Sequence, residues 1–111
     1  GEPQILRLPE NTFQFPLPLM ISLIAHEMVH VRQKTRQPFV MDKNEREWQA
    51  YYEMCFHEIF PKVPNASKKQ RLFFANKALE YYNRMEKDGE LQKKYSNQKT
   101  EIEQFIKNLE E

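Results

Sequence analysis

The sequence predicts a mainly α-helical protein of about four helices, preceded by a short N-terminal β-hairpin or extended region. Apolar residues that recur every three or four positions predict the helices, and capping patterns with Gly or Pro mark their ends. The N-terminal region differs, because residues 4–8 and 12–15 alternate only partially and flank the turn-forming residues 9–11. At 111 residues, the chain is long enough for one modest hydrophobic core.

We therefore expect a single domain over residues 1–111. Within it, residues 1–16 form the extended or hairpin region, residues 17–60 a pair of helices, and residues 61–111 a second helical pair.

The first helix is predicted from about Leu17 to Thr35, a range with no glycine and with Pro18 in its first turn. The second begins near Asp42 or Asn44, because each is followed three residues later by Glu, as in a capping box. It is expected to continue through Ile59, before two prolines stop it.

A third helix is predicted to open with a capping box formed by Ser67 and Gln70. It should end near Asp88 and Gly89, since Gly suits the left-handed conformation that often follows a helix. A fourth helix is expected as one piece from about Glu90 to Glu110.

The composition argues against several classes of function. Seventeen basic and 16 acidic residues give a net charge of +1, which offers no field to recruit nucleic acid or a membrane surface. Cys55 is the only cysteine, so an internal disulfide and a cysteine-rich zinc site are excluded. The apolar run from Phe13 to Ala25 is too short for a membrane span of about 20 residues.

No secretory signal pattern is visible, so we expect a cytoplasmic protein. The chain begins with Gly1 rather than Met, which indicates a cloning scar or a trimmed leader. The sequence leaves the oligomeric state open.

The most informative stretch is His26-Glu27-Met28-Val29-His30, within the first predicted helix. Residues i and i+4 lie nearly above one another on a helix, so two imidazoles can be aimed at one point. Glu27 lies about 100° round the helix, where it can reach a water molecule on a metal ion. The pattern is typical of Zn²⁺ sites in which the Glu is the general base. Two buried histidines without a metal are the alternative.

A catalytic zinc ion usually has three protein ligands, so one more is needed. The candidates on the second helix are Glu45, Glu47, Glu53, Glu58 and His57. Glu47 has an alternative role as the capping partner of Asn44. If Asp42 is the cap instead, Glu45 takes that role and Glu47 is free.

The histidine motif, together with Glu47-Trp48-Gln49-Ala50, resembles the gluzincin zinc peptidases. The resemblance implies that Glu47 is the third ligand and that the small Ala50 lets two helices approach closely. The chain departs from the family pattern at Tyr51, where the usual residue is Asp. That Asp commonly supports a zinc-binding histidine, so another group must do so here. Gln33, three residues after His30, could either make such a contact or be solvated.

In size the chain is similar to the single-domain minigluzincins, which implies a zinc-dependent endopeptidase acting on peptide or protein substrates. The region from Gln4 to Phe15 is then the candidate for pairing with an extended substrate. The oxyanion of such a reaction needs a donor besides zinc, and Tyr51, Tyr52 and His57 are candidates. We select Tyr51, although aromatic packing is the alternative for both tyrosines.

Two other functions remain open. The first is a regulatory or protein-interaction domain of the same fold that binds zinc without hydrolysing peptides. The second is a helical interaction protein in which the histidine motif is a coincidence.

Overall fold

The computed structural model describes residues 16–35, 40 and 42–110. These residues form five α-helices and no strand: α1 (Leu17–Thr35), α2 (Lys43–Phe56), α3 (Lys68–Arg84), α4 (Glu90–Lys94) and α5 (Ser96–Glu110). The predicted mainly α-helical class is confirmed. The hairpin or extended region predicted over residues 4–15 lies outside the described residues.

Helix α2 starts at the first of its two predicted caps. The Asp42 carboxylate accepts a hydrogen bond from the Glu45 backbone N–H at 2.9 Å. The helix ends at Phe56, three residues before the predicted end at Ile59, because His57 adopts a left-handed conformation with φ of 51°. The Glu53 carboxylate then accepts two backbone N–H groups of the following turn, at 2.8 and 2.9 Å.

The capping box at the start of α3 is present as predicted, with Ser67 and Gln70 bonded to each other's backbone. However, α3 ends at Arg84, earlier than expected. The Gln92 side chain donates to the carbonyls of Tyr82 and Met85, so backbone groups at the end of the helix are satisfied without a further turn.

The single C-terminal helix predicted from Glu90 to Glu110 is wrong in one respect, because it is divided at Tyr95. This residue has φ of −104° and ψ of 13°, outside the helical range, and separates α4 from α5. Its side chain is buried and its ring lies 5.9 Å from that of Trp48.

The core lies mainly between α2 and α3, with α1 packed against α2 and α5 against α3. Trp48 of α2 is 1% exposed and contacts the rings of Tyr52, Tyr82 and Tyr95. Among the described helices, none combines the length and apolar character that crossing a bilayer requires.

Candidate metal centre

Helix α1 aligns the two histidines of the motif on one side. His26 and His30 are four residues apart, and their ring centroids are separated by 4.8 Å. The two Nε2 atoms lie 3.1 Å from each other, so both imidazoles point to the same place. His26 is 8% exposed and His30 is half-buried, which holds the rings in position.

Helix α2 brings Glu47 to the same point. One carboxylate oxygen lies 3.1 Å from His30 Nε2 and the other 3.5 Å from His26 Nε2. Taken together, one donor atom from each of the three residues lies within 4.8 Å of the others, a separation that could hold a metal ion. Ala50, one turn further along the same side of α2, is fully buried.

The pairing of side chains along the two helices explains this convergence. His26 contacts Tyr51 and Met54, late in α2, whereas Gln33 contacts the beginning of α2 at Arg46. The two helices therefore run in opposite directions, and Glu47 falls opposite His30.

The other candidate ligands have different partners. Glu45 is buried and its carboxylate accepts hydrogen bonds from Tyr95 and Lys94, while the Glu53 carboxylate caps a backbone turn. His57 lies at the far end of α2, and its Nε2 is buried with no partner among the described residues. Within the described part of the chain, only His26, His30 and Glu47 form a group with metal-binding spacing.

The remaining ring nitrogens also have partners. His26 Nδ1 lies 3.1 Å from the sulfur of Met54, and His30 Nδ1 lies 2.9 Å from Gln33 Oε1. A thioether sulfur accepts but does not donate, so a hydrogen bond here requires the proton of neutral His26 on Nδ1. This leaves a lone pair on His26 Nε2, which faces Glu47.

The electrostatics of the cluster favour positive charge. Burial alone lowers the pKa of His30, but hydrogen bonds to Glu47 and Gln33 and the charges of Glu47 and Glu27 together raise it above its ordinary value. Burial alone raises the pKa of Glu47, but hydrogen bonds from both histidines and their charge hold it well below its usual range. A proton or a metal cation placed between them would interact favourably with both Nε2 atoms and with the Glu47 carboxylate.

The cluster opens into a cleft of about 500 Å³. Besides the three clustered side chains, it is lined by Glu27, Lys34, Lys43 and Arg46. Glu27 therefore shares the cleft with the cluster without belonging to it, which is the position expected from its place on the helix.

Tyr51 lies beside His26, with ring centroids 4.6 Å apart, and stacks on Tyr81 of α3 at 5.9 Å. Burial and the nearby Glu47 carboxylate raise its pKa to about 12, so the phenol keeps its proton at neutral pH. Tyr52, by contrast, donates a hydrogen bond of 2.6 Å to Glu101 of α5. Its hydroxyl is thus engaged on the side of α2 that faces the C-terminal helices.

Comparison of the chain with protein-family models, with curated proteins and with solved structures finds no match. The geometry and chemistry of the cluster itself therefore have to indicate the function.

Sequence reasoning did not identify the contact between His26 and Met54, nor the three cationic side chains of the cleft. A methionine 28 positions away carries no local signal for such a contact. The cations come from the end of α1 and the start of α2, so their proximity depends on how the helices pack.

Proposed function

We propose that the protein is a zinc-dependent metallopeptidase, in which His26, His30 and Glu47 bind Zn²⁺ and Glu27 is the general base. The observation that carries the proposal is the convergence of two imidazoles and one carboxylate, groups able to bind a metal ion, at an open cleft that Glu27 also lines.

The donor set supports zinc over other common cations. Two imidazole nitrogens and one carboxylate oxygen are the ligands of a well-known class of catalytic zinc sites, which leave the fourth position open. Calcium and magnesium prefer sites made of oxygen atoms, which this cluster does not provide. The cleft gives solvent and substrate access to the open position.

A bound zinc ion would polarise the scissile carbonyl and lower the pKa of a water molecule to about 7. Glu27 would accept a proton from the attacking water on its carboxylate and transfer it to the leaving nitrogen. Tyr51 is not among the residues that line the cleft, but its ring lies 4.6 Å from that of His26, and it is our candidate for the hydrogen-bond donor to the developing oxyanion.

The charges in the cleft favour acidic substrates. Lys34, Lys43 and Arg46 carry three positive charges, against the two carboxylates of Glu27 and Glu47. A divalent cation would make the balance more positive. A peptide with a carboxylate close to the scissile bond would therefore bind more tightly than a neutral or basic peptide.

The decisive test is the variant Glu27→Gln, assayed on a fluorogenic peptide library with zinc content measured in parallel. Zinc content should match the wild type, whereas kcat should fall by roughly 10²- to 10⁴-fold with loss of the general base. Glu103→Gln makes the same chemical change at an exposed position on α5 and should leave kcat unchanged. Equal rates in wild type and Glu27→Gln would contradict the role of Glu27 as general base. A zinc-loaded wild type that hydrolyses no peptide would favour a zinc-binding domain without hydrolytic activity.

A further inference from the structure

We propose that Glu45, which is not one of the proposed zinc ligands, fixes the tautomer of His30 from a distance. The two residues are joined by a chain of hydrogen bonds through three intervening side chains, those of Tyr95, Gln49 and Gln33. The inference depends on the zinc-binding part of the proposed function, but not on peptide hydrolysis.

The donor-to-acceptor direction of this chain of hydrogen bonds is set at its Glu45 end. Glu45 Oε2 lies 3.2 Å from the Tyr95 hydroxyl and 3.5 Å from the Lys94 ammonium group. An ammonium group can only donate, so Oε2 acts as an acceptor. The Tyr95 hydroxyl has one proton, and it donates this proton in a hydrogen bond to Glu45 Oε2. Its oxygen is therefore left to accept the 2.7 Å hydrogen bond from Gln49 Nε2.

The two glutamines transmit this direction. Because the Nε2 of Gln49 donates to Tyr95, its Oε1 faces Gln33 and accepts from Gln33 Nε2 at 2.9 Å. The same nitrogen of Gln33 also donates to the backbone carbonyl of Arg46 at 3.0 Å. A carbonyl can only accept, so this contact independently identifies the nitrogen of the Gln33 amide.

The Gln33 Oε1 atom is then the acceptor that faces His30 Nδ1 at 2.9 Å. His30 must carry a proton on Nδ1, which leaves the lone pair of its neutral form on Nε2, the atom nearest Glu47. A metal ion binds only an unprotonated ring nitrogen. The chain therefore prepares His30 for ligation, as a carboxylate in direct contact does in many zinc sites.

The hydrogen-bond partners make the direction of this network hard to reverse. Gln33, Glu45 and Tyr95 are each 7% exposed, whereas Gln49 is half-buried and lines a cavity together with Tyr95. Reversing one amide would place two acceptors or two donors face to face, and reversing Gln33 would also break its hydrogen bond to the Arg46 carbonyl. Gluzincins commonly have an Asp that supports a zinc-binding histidine, at the position where this sequence has Tyr51. Here the hydrogen-bond chain from Glu45 would take over that supporting role for His30.

The test uses Tyr95→Phe, which removes only the hydroxyl that links Gln49 to Glu45. Zinc affinity, measured by competition with a chromogenic chelator, should fall by roughly tenfold, the lower end of the effect of losing such a supporting contact. Tyr82→Phe is the matched control, because Tyr82 is also buried. Its hydroxyl donates to the backbone carbonyl of Gln92, which is not part of the hydrogen-bond chain between Glu45 and His30. It should keep the wild-type zinc affinity. An unchanged affinity in Tyr95→Phe, or an equal loss in Tyr82→Phe, would overturn the inference.

A double-mutant cycle separates transmission from general loosening of the fold. Gln33→Leu removes the last link to His30, so Tyr95→Phe should have no additional effect on zinc affinity in that background. Additive losses would overturn the inference, as independent structural effects predict them. Thermal unfolding of the metal-free variants confirms that each is folded.

The same measurements distinguish the two proposals. If the wild type binds zinc and Tyr95→Phe does not weaken the binding, only the role of the hydrogen-bond chain from Glu45 to His30 is refuted. If zinc binds as described but the zinc-loaded wild type hydrolyses no peptide, only the peptidase function is refuted. A wild type that binds no zinc would overturn both.

Discussion

Glu45 and Glu47 are two residues apart on α2, and their carboxylates serve opposite sides of the helix. Two residues correspond to a rotation of about 200°. Glu47 faces α1 and meets the two imidazoles, whereas Glu45 faces the C-terminal helices and meets Tyr95. The comparison shows that the partner on the facing helix decides what each carboxylate does, since the two side chains are chemically identical.

The difference extends to the two sides of α2 as a whole. The side that carries Lys43, Arg46 and Glu47 lines the open cleft, and we call it the cleft face. The side that carries Glu45, Trp48 and Tyr52 faces the aromatic core and the C-terminal helices, and we call it the core face. We expect the core face to determine folding stability and the cleft face to determine metal binding and substrate binding.

The largest expected effect on folding is on the core face. Trp48→Ala should reduce the free energy of unfolding by about 3–5 kcal/mol, because it removes a side chain that is 1% exposed and contacts three aromatic rings. On the cleft face, Lys43→Ala changes an exposed residue and should alter the free energy of unfolding by about 0.5 kcal/mol or less. Urea denaturation of both variants provides the measurement, and similar losses would contradict the distinction between the two faces.

A second prediction concerns the pH dependence of the metal-free protein. The pKa of His30 is raised above its ordinary 6.5, so its contribution to stability is complete below pH 6.5 and is lost as the pH rises through the folded-state value. The pKa of Glu47 is lowered, so its contribution is complete above its ordinary 4.5 and is lost as the pH falls through the folded-state value. The interaction should therefore stabilise most between pH 4.5 and 6.5.

The measurement is the difference in the free energy of unfolding between metal-free wild type and Glu47→Gln at a series of pH values. This difference should reach about 1.5–3 kcal/mol in the stated range and decline above it, since a hydrogen bond to a charged group contributes about that much. A difference that does not vary with pH would show that the His30–Glu47 interaction is not ionic.

The smallest expected effect concerns the cations of the cleft. In Lys34→Gln/Lys43→Gln, kcat/KM for a peptide with an acidic residue next to the scissile bond should fall by roughly two- to fivefold, as expected for exposed charges. Rates on a neutral peptide should be unchanged, and added salt should reduce the difference. Lys69→Gln/Lys107→Gln removes two exposed lysines outside the cleft and is the control. Equal losses on both peptides would argue against charge recognition.

The histidine part of the cluster could be predicted from the sequence because its geometry is local, since the spacing of His26 and His30 suffices to align their rings on one helix. Glu47 followed only from the resemblance, because the sequence left Asp42 and Asn44 open as caps and the structure selects Asp42. The helical class and the bounds of α1 followed from periodicity and from the positions of proline.

What the sequence did not predict depends on contacts between distant residues. Gln49 and Tyr95 are 46 positions apart, and no local pattern indicates that an amide and a phenol will meet. The division of the last helix at Tyr95 has the same origin, because neither Gly nor Pro marks it and the buried ring packs in the tertiary core. The left-handed His57 that ends α2 was not predicted either, since Gly is the usual residue at that position and none is present there.

The most direct test of the central claim is the zinc content per chain after loading and dialysis against metal-free buffer. We predict close to one zinc ion in the wild type and in Glu58→Ala, which removes an exposed carboxylate of the same region. His30→Ala and Glu47→Ala should lose the metal or bind it far more weakly, because each removes one of the three proposed ligands. A wild type that holds no zinc would contradict the account, and a Glu47→Ala variant that keeps it would show that the third ligand is another residue.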